Sequence, residues 1–123
     1  MIPLGEFTAG DRVRIELALA NLIDTVSQIT ISKGFRAPGE RRPTGEVIAL
    51  MHSELSEALE NFRKPGPDNH LPEYPGWLVE YADVLIRIFD HVQEMGEASN
   101  LASVLMNKIA YNANRPYKHG KKF

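Results

Sequence analysis

Two segments, HSELSEALE and LVEYADVLIRIFD, place Glu54 with Glu57 and Glu80 with Asp83, each pair three residues apart, inside strongly apolar runs. Apolar residues recurring at steps of three and four demand α-helices, and residues three apart lie side by side on one helix face. Each helix therefore points two carboxylates at one spot. Crowding like charges beside a core is costly unless a cation compensates them. A fold that brings both helices together has to supply positive charge there, and a divalent metal does so compactly.

The rest of the chain supports an all-α, four-helix, antiparallel bundle-like arrangement, read as a single domain over residues 1–123 and completed by homo-oligomerisation. Thr8 and Asp11 form a capping-box pattern, after which Ile15, Leu19, Leu22, Val26 and Ile29 mark the apolar stripe of a first helix. That helix is expected to stop near Lys33-Gly34, since glycine closes helices in the left-handed conformation. A basic loop from Phe35 to Pro43 follows, with Arg36, Arg41 and Arg42 among Gly and Pro. Thr44 is expected to cap a second helix running to about Arg63, with Val47, Met51, Leu55, Ala58 and Phe62 on one face. The segment KPGPDNHLPEYPGW holds four prolines and cannot continue it. A third helix runs from about Trp77 to Met95, and a fourth from Ser99 or Asn100 to about Asn114, ahead of Pro116.

At about 100° per residue, Glu54 falls within the apolar arc of the second helix, between Leu50 and Ala58, with Glu57 at its margin. The third helix has a wide apolar arc and a polar sector of Glu80, Asp83, Arg87, Asp90 and His91. An apolar arc that wide exceeds what one small domain can cover, which points to a homodimer or homotetramer. Taken singly, each carboxylate reads as ordinary helix surface. Jointly, two pairs at matching spacing on adjacent helices favour a hard cation such as Mg²⁺, with Mn²⁺ as a substitute, because the donors are oxygen alone. Di-iron carboxylate bundles use Glu-x-x-His, and none of His52, His70, His91 or His119 follows a Glu at that spacing.

Lys108, Asn112 and Arg115 share a stripe on the fourth helix, beside Leu101, Val104 and Leu105, which are read as core-facing. Three roles compete for these cations: capping of helix carbonyls, ion pairing with the acidic cluster, or binding of phosphate oxygens. A net charge of -2 argues against a general nucleic-acid or membrane-surface binder. The absence of cysteine excludes disulfides, thiolate metal sites and cysteine nucleophiles. With no cationic leader and no apolar run of membrane length, a soluble cytoplasmic protein is the expectation.

From about Lys33 onward the chain resembles the MazG-like, all-α nucleoside triphosphate pyrophosphohydrolases. The resemblance rests on KGF at 33–35, EVIALMHSELSEALENFR, VEYADVLIRIFD and NKIAYNANRPYKHGKK. Arg36 departs from it, standing where the family often has an aromatic residue. The resemblance implies a Mg²⁺-dependent enzyme that splits a nucleoside triphosphate into the monophosphate and pyrophosphate. It implies metal ligation by Glu54, Glu57, Glu80 and Asp83, with one of these acids taking a proton from water. Lys108, Asn112 and Arg115 would face the phosphates, and the first helix with the KGF segment would frame base and sugar. The competing reading is a non-catalytic oligomerisation or regulatory module whose acidic pairs make interhelical salt bridges to Arg87, Lys108 and Arg115.

Overall fold

The computed structural model describes residues 6–122. Four helices account for most of it: α1 (Ala9–Ser32), α2 (Thr44–Arg63), α3 (Gly76–Glu94) and α4 (Ala98–Ala113), followed by a short 3₁₀ turn at Tyr117–Gly120. Among the described residues there is no strand, only an isolated bridge between Pro67 and Pro75, and no helix is long and apolar enough to cross a membrane. The all-helical expectation holds, with each helix within a residue or two of its expected ends.

Local chemistry explains those ends. The Asp11 N–H donates to Thr8 Oγ1 and the Thr8 N–H to Asp11 Oδ2, each at 3.0 Å, closing the capping box of α1. Gly34 follows α1 at φ +80, a conformation that costs glycine little. Thr44 does not cap α2, contrary to the sequence expectation. Pro43 holds the cap position without any side-chain cap bond, and Thr44 is already helical.

The turn between α2 and α3 is closed by its own backbone: Gly76 N–H donates to Gly66 O at 2.9 Å and Asp68 N–H to Tyr74 O at 3.0 Å. Asn61 near the end of α2 then caps α3 from outside, accepting the Trp77 N–H at 2.8 Å. A Cβ on Gly76 would collide with the Asn61 amide, so only glycine allows this approach. The two helices run antiparallel from that point, and α3 packs chiefly on α2 and α1, while α4 packs on α1 and touches α3 lightly.

The buried apolar core is thin: Ile23 from α1, Val47 and Ala58 from α2, Ala102 and Met106 from α4. Two expected stripes are rotated as a result. On α1, Ile23 is fully buried while Leu22 and Ile29 stay exposed. On α4, Ala102 and Met106 face the core and Val104 and Leu105 face outward. Ala and Met permit close helix approach and irregular filling, so they occupy the contact that larger side chains were expected to make.

Polar groups fill the space that the apolar core leaves. Arg36 and Asp90 are 5% and 3% exposed, and the Arg36 guanidinium donates to Asp90 Oδ1 at 2.8 Å and to Ser27 Oγ. Arg42 donates to Asp90 Oδ2 at 2.6 Å and to Glu94 Oε1 at 2.9 Å. The basic loop is thus tied to the end of α3, and Asp90, read from sequence as part of a polar sector, is a core residue. Removing one member of such a network leaves a buried charge without a partner. Asp90→Ala is expected to cost about 3–5 kcal/mol of unfolding free energy in denaturant titration, and Arg36→Met with Asp90→Leu to recover most of that loss.

Candidate metal centre

Midway between the Asn61 cap and the Asp90 network, α2 and α3 bring three of the four singled-out acids together. Glu54, Glu57 and Glu80 each offer a carboxylate oxygen, and these oxygens lie within 4.8 Å of one another. The helical spacing produces this directly, since Glu54 and Glu57 occupy successive turns of α2 opposite Glu80 on α3. Glu54 is mostly buried, its side chain 12% exposed. Glu80 is half-buried and Glu57 exposed.

The cluster borders two openings. Glu54 and Asp83 line a cavity of about 450 Å³ whose apolar wall includes Ile29, Phe35, Val47, Leu50 and Ile86, with Lys33, Arg42 and Arg87 as its cations. Glu57 and Glu80 line a smaller one of about 280 Å³ with Glu60, Asn61, Lys64 and Asp68. Asp83 stands outside the three-oxygen group but shares the larger cavity with Glu54.

Charge is distributed unevenly across the cluster. Burial works against ionisation of Glu54, but hydrogen bonding from Glu80, Arg87 and Glu57 outweighs it and holds that carboxyl below the usual range. Arg87 donates to Glu54 Oε1 through Nε at 2.9 Å and pairs with it through Nη2 at 2.8 Å. Glu80 has no such cation. Burial first, and the neighbouring Glu54 and Glu57 next, push it up to about 8. Its Oε2 is buried without a hydrogen-bond partner. An ionised carboxylate facing other carboxylates has only acceptors to meet. A proton on Glu80, or a cation shared with Glu54 and Glu57, resolves the conflict. Burial and the charge of Glu54 also raise Asp83. An all-oxygen donor set with an orphaned buried oxygen fits a hard divalent cation.

The three residues of the fourth-helix stripe lie elsewhere. Lys108 and Asn112 are exposed and Arg115 is half-buried. The Lys108 ammonium and the Arg115 guanidinium sit 4.7 and 5.6 Å from the centre of the Tyr111 ring. None of the three lines the acidic cavity. The cations that do are Lys33, Arg42 and Arg87, and the sequence carried a signal for the last: Glu80, Asp83, Arg87, Asp90 and Glu94 follow at steps of three and four along one face of α3. The chain matches no family model, no curated protein and no solved structure.

The raised Glu80 has a signed consequence for stability. Its folded pKa of about 8 exceeds the ordinary glutamate value of 4.5, so the folded state binds that proton more tightly and its contribution is lost as pH rises from 4.5 through 8. The lowered Glu54 acts oppositely, but its contribution is complete once pH has passed 4.5. In chelator, the thermal midpoint should therefore fall between about pH 5 and pH 8. Millimolar Mg²⁺ or Mn²⁺ should restore it, and more at pH 8 than at about pH 5, where a proton occupies the same oxygens. Scanning fluorimetry in both buffers with and without metal measures this directly.

Proposed function

We propose that this chain is a Mg²⁺-dependent nucleoside triphosphate pyrophosphohydrolase, releasing the nucleoside monophosphate and pyrophosphate. One observation supports the reading above others: three carboxylates from two helices converge within 4.8 Å, with Glu54 lining one opening and Glu57 and Glu80 another. The resemblance of the acidic segments to the MazG-like enzymes adds the reaction, which geometry alone does not specify.

In this reading Glu54, Glu57 and Glu80 hold the cation and Asp83 joins them from the larger cavity. A divalent cation supplies charge neutralisation for the triphosphate and acidification of water at that place. The remaining work falls to the chain's own groups. The apolar wall of Ile29, Val47, Leu50 and Ile86, with Phe35 at the rim, offers a surface for a nucleobase, and a cavity of about 450 Å³ admits one. Arg87 serves twice. It keeps Glu54 ionised and sets a guanidinium on the cavity wall, where it can meet phosphate oxygens. Arg42 is committed to Asp90 and Glu94, so Lys33 is the other cation available to the phosphates. The phosphate-facing role that the resemblance implies for Lys108, Asn112 and Arg115 has no place in the cavity of one chain. Asp83, raised and lining the cavity beside Glu54, is the acid best placed to take the proton from the attacking water.

The salt-bridge module has one observation in its favour: the Arg87–Glu54 pair exists. The matching pairs to Lys108 and Arg115 are not among the ion pairs of the described residues. That reading leaves Glu80 without a partner and predicts indifference to divalent ions.

Incubation of nucleoside triphosphates with protein and Mg²⁺, followed by chromatography, should yield monophosphate and pyrophosphate. Glu54→Gln and Asp83→Asn should each lower turnover by on the order of 100-fold or more while helical circular dichroism is kept. Release of inorganic phosphate in place of pyrophosphate, or full activity in chelator, overturns the assignment.

A further inference from the structure

The net charge of -2 averages two unlike parts of the chain. All 16 acids lie at or before Glu97, together with nine of the 14 Lys and Arg, so residues 1–97 carry -7 and residues 98–123 carry +5. A division of sign this sharp marks a segment suited to a polyanion, which the average conceals.

The fold gathers that positive part on one surface. Val104, Lys108, Tyr111 and Arg115 follow at steps of four, three and four, forming one line along α4 and just past its end. Ala102 and Met106 turn the other side of α4 to the core, so this line faces outward, with Val104 60% and Tyr111 58% exposed. Exposed Leu105 and Ile109 flank it. The 3₁₀ turn beyond adds Lys118 and Tyr117, the latter 88% exposed, and Lys121 and Lys122 follow. Cations and rings interleave: Lys108 and Arg115 sit over Tyr111, and the Lys118 ammonium lies 5.8 Å from the centre of the Tyr117 ring. Among the described residues none of the five cations is in an ion pair.

We propose that the outer face of α4, with the 3₁₀ turn after it, is a docking surface for an anionic lipid bilayer. A single-stranded nucleic acid would ask for free aromatic faces on which bases stack, and Tyr111 already carries two cations. It would also have no use for Val104, Leu105 and Ile109. The interface of a bilayer uses every group present: lipid phosphates meet Lys and Arg, the headgroup layer takes Tyr, and the acyl boundary takes the aliphatic side chains. Either the charge or the shallow apolar contact alone gives marginal, reversible binding, and together they reinforce each other. The same lipid surface repels the -7 remainder of the chain, which orients the molecule with α4 toward the membrane. No residue of α4 lines either opening beside the acidic cluster, so attachment is independent of the proposed activity.

Vesicles of phosphatidylcholine containing about a third phosphatidylserine should sediment the wild-type protein at ~0.1 M salt and release it at ~1 M, where the screening length falls from about 10 Å to about 3 Å. Vesicles of phosphatidylcholine alone should leave it in solution. Lys108→Gln and Lys118→Gln should each lower partitioning roughly fivefold with unchanged helical circular dichroism, since both side chains are exposed. The chain has no cysteine, so an environment-sensitive fluorophore on Val104→Cys reports this face alone. Its emission should shift to the blue on the anionic vesicles, while the same label on Ser56→Cys, exposed on α2, stays as in water. Equal sedimentation by uncharged vesicles, or indifference to salt and to both glutamines, overturns the proposal. So does a Val104→Cys label that reports only water on sedimented protein. Retention on a single-stranded oligonucleotide without any vesicle binding overturns the lipid assignment and gives the face to nucleic acid.

Discussion

Asp90 receives two guanidiniums from one loop, and much of the geometry of this protein follows from that contact. Arg36 and Arg42 reach it from the segment that joins α1 to α2, and Ser27 of α1 shares the Arg36 guanidinium. One carboxylate thus fixes the exit of α1, the path of the loop and the entry of α2 against the C-terminal half of α3. A core with few fully buried large side chains has little other means of setting these directions, since apolar contacts are not directional. Burying such ions costs solvation, and a network that satisfies most of its donors and acceptors recovers it while selecting one arrangement. The same loop supplies Phe35 and Arg42 to the larger cavity, so the network also shapes the wall of the candidate site.

At the opposite end of the α2–α3 pair the constraint is steric. Gly76 lets the Asn61 amide approach the start of α3 and satisfy the Trp77 N–H. With both ends held, the acids halfway along have little freedom to separate, and their repulsion has to be met where they stand. The two halves of the cluster meet it differently. Glu54 has Arg87, whereas Glu80, pushed up by burial and by its acidic neighbours, keeps an oxygen that no donor among the described residues reaches. A group stabilised only by a proton or by an added cation marks a place where folding and binding conflict, and such conflicts concentrate at functional sites.

What was legible in the sequence was local. The capping box of Thr8 and Asp11, the stop at Gly34 and the i, i+3 spacing of the acids depend on neighbours within one turn of helix, and all appear in the structure. What was hidden joins residues far apart in the chain. Arg36 and Asp90 are 54 positions apart, and nothing in either segment marks one as the partner of the other. The Asn61 cap is of the same kind, because a cap supplied by another helix leaves no motif beside the helix it serves. Asp90 and Glu94 continue the stripe begun by Glu80, and read together with the basic loop they offered the one available hint.

The fourth helix misleads for a different reason. Its apolar residues lie on nearly every side, so periodicity alone cannot select the face that meets the core. The structure selects the side with Ala102 and Met106, where small and flexible side chains let α4 approach α1, and leaves Val104, Leu105, Ile109 and Tyr111 in water. Lys108 follows that rotation outward, and it and Arg115, which lies just past the end of α4, meet Tyr111 instead of the carboxylates. A monomer gains most by burying its largest apolar groups and exposing its smallest. On α4, and at Leu55, Leu59 and Phe62 of α2 and Leu85 of α3, large groups are the ones outside. On these helices the close approach that small and flexible side chains permit decides which face packs inward.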